Sequence, residues 1–141
     1  MYAEKAFALA KRAHKGQKDK AGEDYINHLI TVASYMDTDE EKAIAYLHDL
    51  IEDTSFTLEQ LKKEGYSNEI LIAIDTMTKK ENVTYAEYIE QISKNSLARK
   101  EKTADLLHNL DLRRLKNPTK EDYERCEKYK RSILFLVTHQ S

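Results

Sequence analysis

The stretch Asp37-Thr38-Asp39-Glu40-Glu41-Lys42-Ala43-Ile44-Ala45-Tyr46-Leu47-His48-Asp49-Leu50-Ile51-Glu52-Asp53-Thr54 decides how the rest of the chain is read. Ala43, Ile44, Leu47, Leu50 and Ile51 recur at helical spacing, which predicts a helix from about Glu40 to Ile51. The segment Asp37 to Glu41 supplies an N-cap and an acidic first turn. At the far end stand His48, Asp49, Glu52 and Asp53. His48 and Glu52 share one helix face and Asp49 and Asp53 another, by their i, i+4 spacing. Carboxylates at a helix C-terminus oppose the helix dipole and repel each other, so local stability does not select them. A divalent cation would reverse that penalty, because it neutralises carboxylates and accepts an imidazole nitrogen. The competing reading is an ordinary solvated helix end.

Outward from this segment the chain keeps a helical period. Ala3, Ala6, Phe7, Ala10 and Ala13 predict a helix over about Tyr2 to Lys15, and Ile26, Leu29, Ile30, Val32 and Ala33 another over about Ile26 to Met36. Between them lies a basic connector, Lys15 to Gly22. Thr57 begins a short helix through Leu61 that stops at Gly65, and Ser67 or Asn68 caps the next, running to about Thr78. Thr84 to about Ile92 and a long segment from about Leu97 to Leu115 follow. Pro118 ends the last connector, and Thr119 caps a final helix to Val137. With no convincing period-2 strand, the expected architecture is a compact all-α bundle in one domain, 1–141.

Composition agrees. The 141 residues suit one domain, and 40% hydrophobic residues are enough for a core. Three glycines and one proline argue against a turn-rich β sandwich or barrel. The 23 basic and 25 acidic residues give a net charge of -2, unlike a nucleic-acid coat protein. Cys126 is the single cysteine, so a reducing compartment is expected. No apolar run approaches the roughly 20 residues that span a bilayer, and the N-terminus lacks a signal peptide's apolar stretch. The expectation is a soluble, cytoplasmic protein.

Two further elements bear on the metal reading. Tyr25-Ile26-Asn27-His28 sets a histidine on the first turn of a helix, and Lys102-Thr103-Ala104-Asp105-Leu106-Leu107-His108-Asn109 sets Asp105 among apolar neighbours. A buried carboxylate without a partner is costly, so Asp105 needs one, with Lys102 the plain candidate. His28, His48, Asp49 and Asp105 together form a mixed imidazole and carboxylate set suited to Mn, Fe or Zn.

In order and spacing, Ala-His-Lys-Gly-Gln (13–17), Tyr-Ile-Asn-His (25–28), Leu-His-Asp-Leu-Ile-Glu-Asp-Thr (47–54) and Lys-Thr-Ala-Asp-Leu-Leu-His-Asn (102–109) resemble the HD-domain superfamily of metal-dependent phosphohydrolases. Within it the likeness is to the hydrolase domain of RelA/SpoT-type alarmone enzymes, strongest over 3–115. The resemblance implies an all-α HD bundle that removes the 3′-pyrophosphate of guanosine tetra- and pentaphosphate, usually with Mn²⁺. It implies His28, His48, Asp49 and Asp105 as metal ligands, with Fe, Zn or another divalent ion as alternatives to Mn²⁺. Glu52 and Asp53 match the acidic pair that positions and activates water, and Asn109 matches an asparagine lining the nucleotide pocket. Lys18 and Lys20 are candidates to meet the substrate's phosphates or base. His108 is expected to pack or to support a ligand, His14 to steady the connector, and His139 to be incidental.

The family usually carries Arg-Lys-Ser-Gly where this chain has Asp19-Lys20-Ala21-Gly22, a run that contacts the nucleotide. Asp24 and Leu29 stand where prolines are usual. The synthetase domain of the long enzymes is not in these residues, so synthesis is not expected. Tyr123, Tyr129 and Phe135 are read as core packing rather than base stacking. The expected partner is a small nucleotide, with no nucleic acid and no membrane; a homo-oligomer is allowed but not required. Two alternatives accompany the alarmone reading: hydrolysis of another nucleotide or phosphorylated metabolite, and a catalytically silent nucleotide-binding module.

Overall fold

Four threonines start four helices by one device. Thr38, Thr57, Thr84 and Thr119 each accept the backbone N–H three residues on, and the side chain at that position reaches back to the threonine N–H. In the computed structural model, which describes residues 1–139, these caps open α3 (Asp39–Leu47), α5 (Leu58–Lys63), α7 (Tyr85–Ser93) and α9 (Lys120–Thr138). The others are α1 (Tyr2–Ala13), α2 (Tyr25–Ser34), α4 (Leu50–Asp53), α6 (Asn68–Met77, capped by Ser67) and α8 (Ser96–Asn109, capped by Asn95). Among the described residues there is no strand, and the all-α expectation holds. Gly65, at φ +93°, ends the turn after α5 as expected. Among the described residues no helix is long and apolar enough to cross a membrane.

Two expected helices are shorter than their hydrophobic pattern suggests. The helix predicted over Glu40–Ile51 breaks at His48 and Asp49, where Asp49 takes φ −99°, ψ 0° and opens the short α4. Glu52 and Asp53 therefore lie in the first turn of a new helix, not at the C-terminus of a long one. The helix predicted over Leu97–Leu115 stops at Asn109. Beyond it, Asp111 turns extended and its carboxylate caps a 3-10 turn, Leu112–Arg114, by accepting the Arg113 N–H.

α3 is the central helix, packed against α1, α2, α6 and α8, while α9 closes over α7 and α8. Ile44, Leu47, Leu50, Ile74, Ile92, Leu106 and Leu136 form the main core. A second, smaller cluster of Val32, Ala33, Met36, Ala45 and Ala104 joins α2, α3 and α8. Its alanines let these three helices approach closely, and His28, His48 and Asp105 sit beside that cluster. Phe135 and Tyr129 pack against the main core, as expected, but Tyr123 is exposed. Cys126 is buried as a free thiol.

Candidate metal centre

His28 comes from the first turn of α2, His48 and Asp49 from the break between α3 and α4, and Asp105 from the middle of α8. One nitrogen or oxygen from each lies within 4.8 Å of all the others. His28 Nε2 is 2.7 Å from Asp105 Oδ1, and His48 Nε2 is 2.9 Å from Asp49 Oδ2 and 3.4 Å from Asp105 Oδ1. His28, His48 and Asp105 are buried, and Asp49 is the one of the four with partial exposure. The four ligand candidates read from the sequence are thus brought together.

The chemistry of this donor set fits a divalent cation. His48 Nδ1 lies 2.8 Å from the carbonyl of Ala45, so the ring's proton belongs on Nδ1. Nε2 then points a lone pair into the cluster. It is buried and, among the described residues, takes no hydrogen bond. A lone pair facing two carboxylates is repulsive unless a positive charge stands between them. The charges of the site express the same demand. Burial opposes a proton on His48, but Asp49, Glu101 and Asp105 overcome it and hold the imidazole well above its usual range. Burial also opposes ionisation of Asp105, yet Lys102, His28 and His48 keep its carboxyl well below the usual carboxylate range.

Around these four stand groups that hold them. Tyr25 donates its hydroxyl to Asp49 Oδ2. Lys102 Nζ lies 3.2 Å from Asp105 Oδ2, so the plain partner expected for Asp105 is present inside the cluster. Asn109, four residues beyond Asp105, reaches it at 3.4 Å. His108 stacks on His28 at 4.9 Å, with their Nδ1 atoms 2.6 Å apart, so one ring donates to the other. Burial, Arg114 and His28 push His108 down to about 4, so its ring is neutral. His14 joins Gln17 at 2.8 Å, and Gln17 in turn donates to Asp53 at 3.2 Å, which steadies the connector as expected. His139 stacks on Phe135 at the end of α9, away from the cluster.

Glu52 and Asp53 are exposed and outside the ligand cluster. Glu52 Oε1 accepts the Lys79 N–H at 2.6 Å. Its carboxyl is raised above the usual range, first by partial desolvation of a side chain that still reaches solvent and then by the charges of Asp49 and Asp53.

Tyr25 and Asn109 also line a cleft of about 300 Å³ with Lys18, Lys20, Arg114 and Tyr129. The connector that forms one wall is folded rather than loose. Asp19 Oδ1 accepts the N–H groups of Ala21 and Glu23, at 2.9 and 3.0 Å, while Oδ2 holds Arg114 at 2.5 Å. Lys18 is turned to Asp24 at 2.5 Å, and Lys20 remains on the cleft. Sequence reasoning missed Arg114, Tyr25 and Glu101. Glu101 could have been found as an acid one turn before Asp105 on a helix face shared with buried alanines. Arg114 carries no local signal.

Residues 6–116 match the HD domain family. The chain is 33% identical over 132 residues to a GTP pyrophosphokinase of Streptomyces coelicolor, covering 84% of this chain and 16% of that protein. It is 36% identical over 100 residues to a guanosine-3′,5′-bis(diphosphate) 3′-pyrophosphohydrolase of Aquifex aeolicus, covering 67% and 14%. To the enzyme so named in Haemophilus influenzae it is 48% identical over 60 residues, covering 40% and 9%. The chain therefore spans less than a fifth of the length of these relatives. A solved structure described as a metazoan ortholog of SpoT that hydrolyzes ppGpp superposes with a TM-score of 0.80 at 23% identity, covering 99% of this chain and 88% of that one. That likeness is one of fold.

Proposed function

This chain belongs to the HD-domain family, and from that premise we propose that it is a divalent-metal-dependent phosphohydrolase acting on guanosine 3′,5′-bis(diphosphate), with GDP and pyrophosphate as products. The observation that carries the reading is the four-ligand cluster beside a cleft lined by Lys18, Lys20, Arg114 and Arg125 as well as Asp19, Asp111 and Asp122, with Tyr25 and Asn109 reaching both. Relatives named as 3′-pyrophosphohydrolases support the substrate.

His28, His48, Asp49 and Asp105 hold the ion in this proposal, and Mn²⁺ is the ion assigned. Such an ion lowers the pKa of water and screens phosphate charge, so hydrolysis runs near neutral pH. The rest falls to the chain's own groups. Tyr25 fixes Asp49 through its hydroxyl. Glu52 is tied to the Lys79 N–H by Oε1, which leaves Oε2 to take the proton from the attacking water. Its raised pKa brings it closer to the pH at which a base works best. Asp53, held by Gln17, orients the same water. Lys20 and Arg114 meet phosphate or base in the cleft, and Asn109 meets the base. The water oxygen bonds to the phosphorus of the 3′-diphosphate as the bond from that phosphorus to the ribose 3′-oxygen breaks, and the proton taken from the water is passed to that leaving oxygen, giving GDP and pyrophosphate. The setting assigned is the cytoplasm, with a free nucleotide as the partner.

One observation favours a second reading within the same chemistry. Asp19 and Ala21 stand in the cleft wall where the family usually has arginine and serine, which suits another nucleotide or phosphorylated metabolite. The test of both is release of GDP and pyrophosphate from guanosine tetraphosphate by purified protein, with Mn²⁺ and with a chelator. Metal-dependent release that Asp49→Ala abolishes is the expected result. A folded, metal-bound protein with no turnover sinks the alarmone assignment and sends the search to a nucleotide panel.

A further inference from the structure

Glu101 is the one fully buried acid in the molecule's described residues, at 0% exposure. It lies on α8 one turn before Asp105, facing the same way. Its Oε1 is 2.7 Å from His48 Nδ1, while Asp105 Oδ1 is 3.4 Å from Nε2 of the same ring. One helix thus brackets the imidazole with a carboxylate at each nitrogen. The Nδ1 proton is aimed at the Ala45 carbonyl, so Glu101 Oε1 stands beside that nitrogen without taking its proton. Among the described residues neither Glu101 oxygen accepts a well-aligned hydrogen bond.

A carboxyl in that position is a standing cost to the fold, and an apolar side chain there would pack among buried neighbours without it. Ala45 already fixes the ring's tautomer, so Glu101 is not needed for that task. What it adds is a carboxyl oxygen 2.7 Å behind the ring, on the side away from the other ligands. Carboxylates placed behind a ligating imidazole make it a stronger donor, and their loss lowers metal affinity by about 10–100-fold. From this geometry we infer that Glu101 is a positioning residue of the metal centre, acting through His48 to tighten its hold on a divalent cation. The inference rests on the metal-centre reading above but not on the identity of the substrate.

The experiment is titration of the metal-free protein with Mn²⁺ by calorimetry and with Co²⁺ by visible absorption, in the parent, Glu101→Gln and Glu101→Met. Both substitutions should weaken Mn²⁺ binding by about 10–100-fold and alter the Co²⁺ bands. In chelator, Glu101→Met should melt no lower than the parent, because an uncompensated buried acid has been removed. A merely structural role predicts the reverse pattern: a lower melting temperature with metal binding intact. Affinities within about threefold of the parent in the folded variants overturn the inference; if Glu101→Met does not fold, the isosteric Gln variant decides. Failure of the parent to bind either ion overturns the metal centre itself. Loss of affinity with no turnover of guanosine tetraphosphate upholds Glu101 and removes only the substrate assignment.

Discussion

Removing Asp105 from the metal-free protein strands a buried cation. Lys102 keeps only 15% of its side-chain exposure and Asp105 7%, so this pair is shielded from the screening that makes surface ion pairs weak. Burial works against the Lys102 charge, yet Asp105 and its neighbours hold that lysine well above its ordinary range. Breaking such a pair from one side costs about 3–5 kcal/mol, which for a chain of this size is a fall of roughly 6–20 °C in melting temperature. Asp49 pushes the result toward the lower end, because its repulsion from Asp105 disappears in the variant. The assay is thermal and urea unfolding of Asp105→Ala, Lys102→Met and the double variant in chelator. The double variant should recover most of the loss, since no charge is left without its partner. An Asp105→Ala protein that melts within about 2 °C of the parent refutes the reasoning. So does a double variant no more stable than the single one.

Three other outcomes follow from the same geometry. Mn²⁺ at about 100 times its dissociation constant should stabilise the protein by about 2.7 kcal/mol, or roughly 5–11 °C, by calorimetry. A chelator should reverse the gain, and Asp49→Ala should show none. At the other end of the molecule, Asp39 caps α1 across space by accepting the N–H groups of Tyr2 and Ala3, and these bonds hold its carboxyl below 3.8. Asp39→Ala should cost about 0.5–1 kcal/mol, the low end for a cap 39% exposed. Because the folded pKa is depressed, that contribution is complete above pH 3.8 and fades as pH falls through the lower folded value. Urea melts at neutral and strongly acidic pH should therefore show the gap between parent and variant closing in acid. Finally, Asp19→Ala frees Arg114 and the two N–H groups of its turn, so KM for the substrate should rise several-fold with kcat nearly kept. An unchanged KM removes Arg114 from substrate binding.

Much of this molecule was legible in its sequence, and the gaps have physical causes. Threonine caps three residues before an acid or amide mark helix starts by local chemistry, so Thr57, Thr84 and Thr119 were readable without tertiary context. Helix ends were harder. Apolar spacing runs unbroken through Leu47, Leu50 and Ile51, and the break at Asp49 goes with contacts to Tyr25 and His48 that no local pattern records. The four ligand candidates were named because their motifs resemble a family in order and spacing. Asp105 was also suspect on its own, as an acid among leucines. Glu101 escaped notice because exposed-looking charge surrounds it in Arg99-Lys100-Glu101-Lys102, and only the rotation of α8 reveals that it faces inward. Arg114 reaches Asp19 across 95 positions, a meeting set by the packing of the whole bundle.

The break between α3 and α4 has a consequence for how long the molecule lives. Its two ligand candidates, with those of α2 and α8, come together only after residues 77 apart in sequence have met. An unfolded or half-folded chain offers no such constellation, so an ion cannot help the helices find one another. It can only hold them once they have. Interactions absent from the folding transition state slow unfolding and leave the folding rate alone. With the proposed metal centre, withdrawing the ion should therefore speed unfolding of the native protein and leave the rate of its formation unchanged.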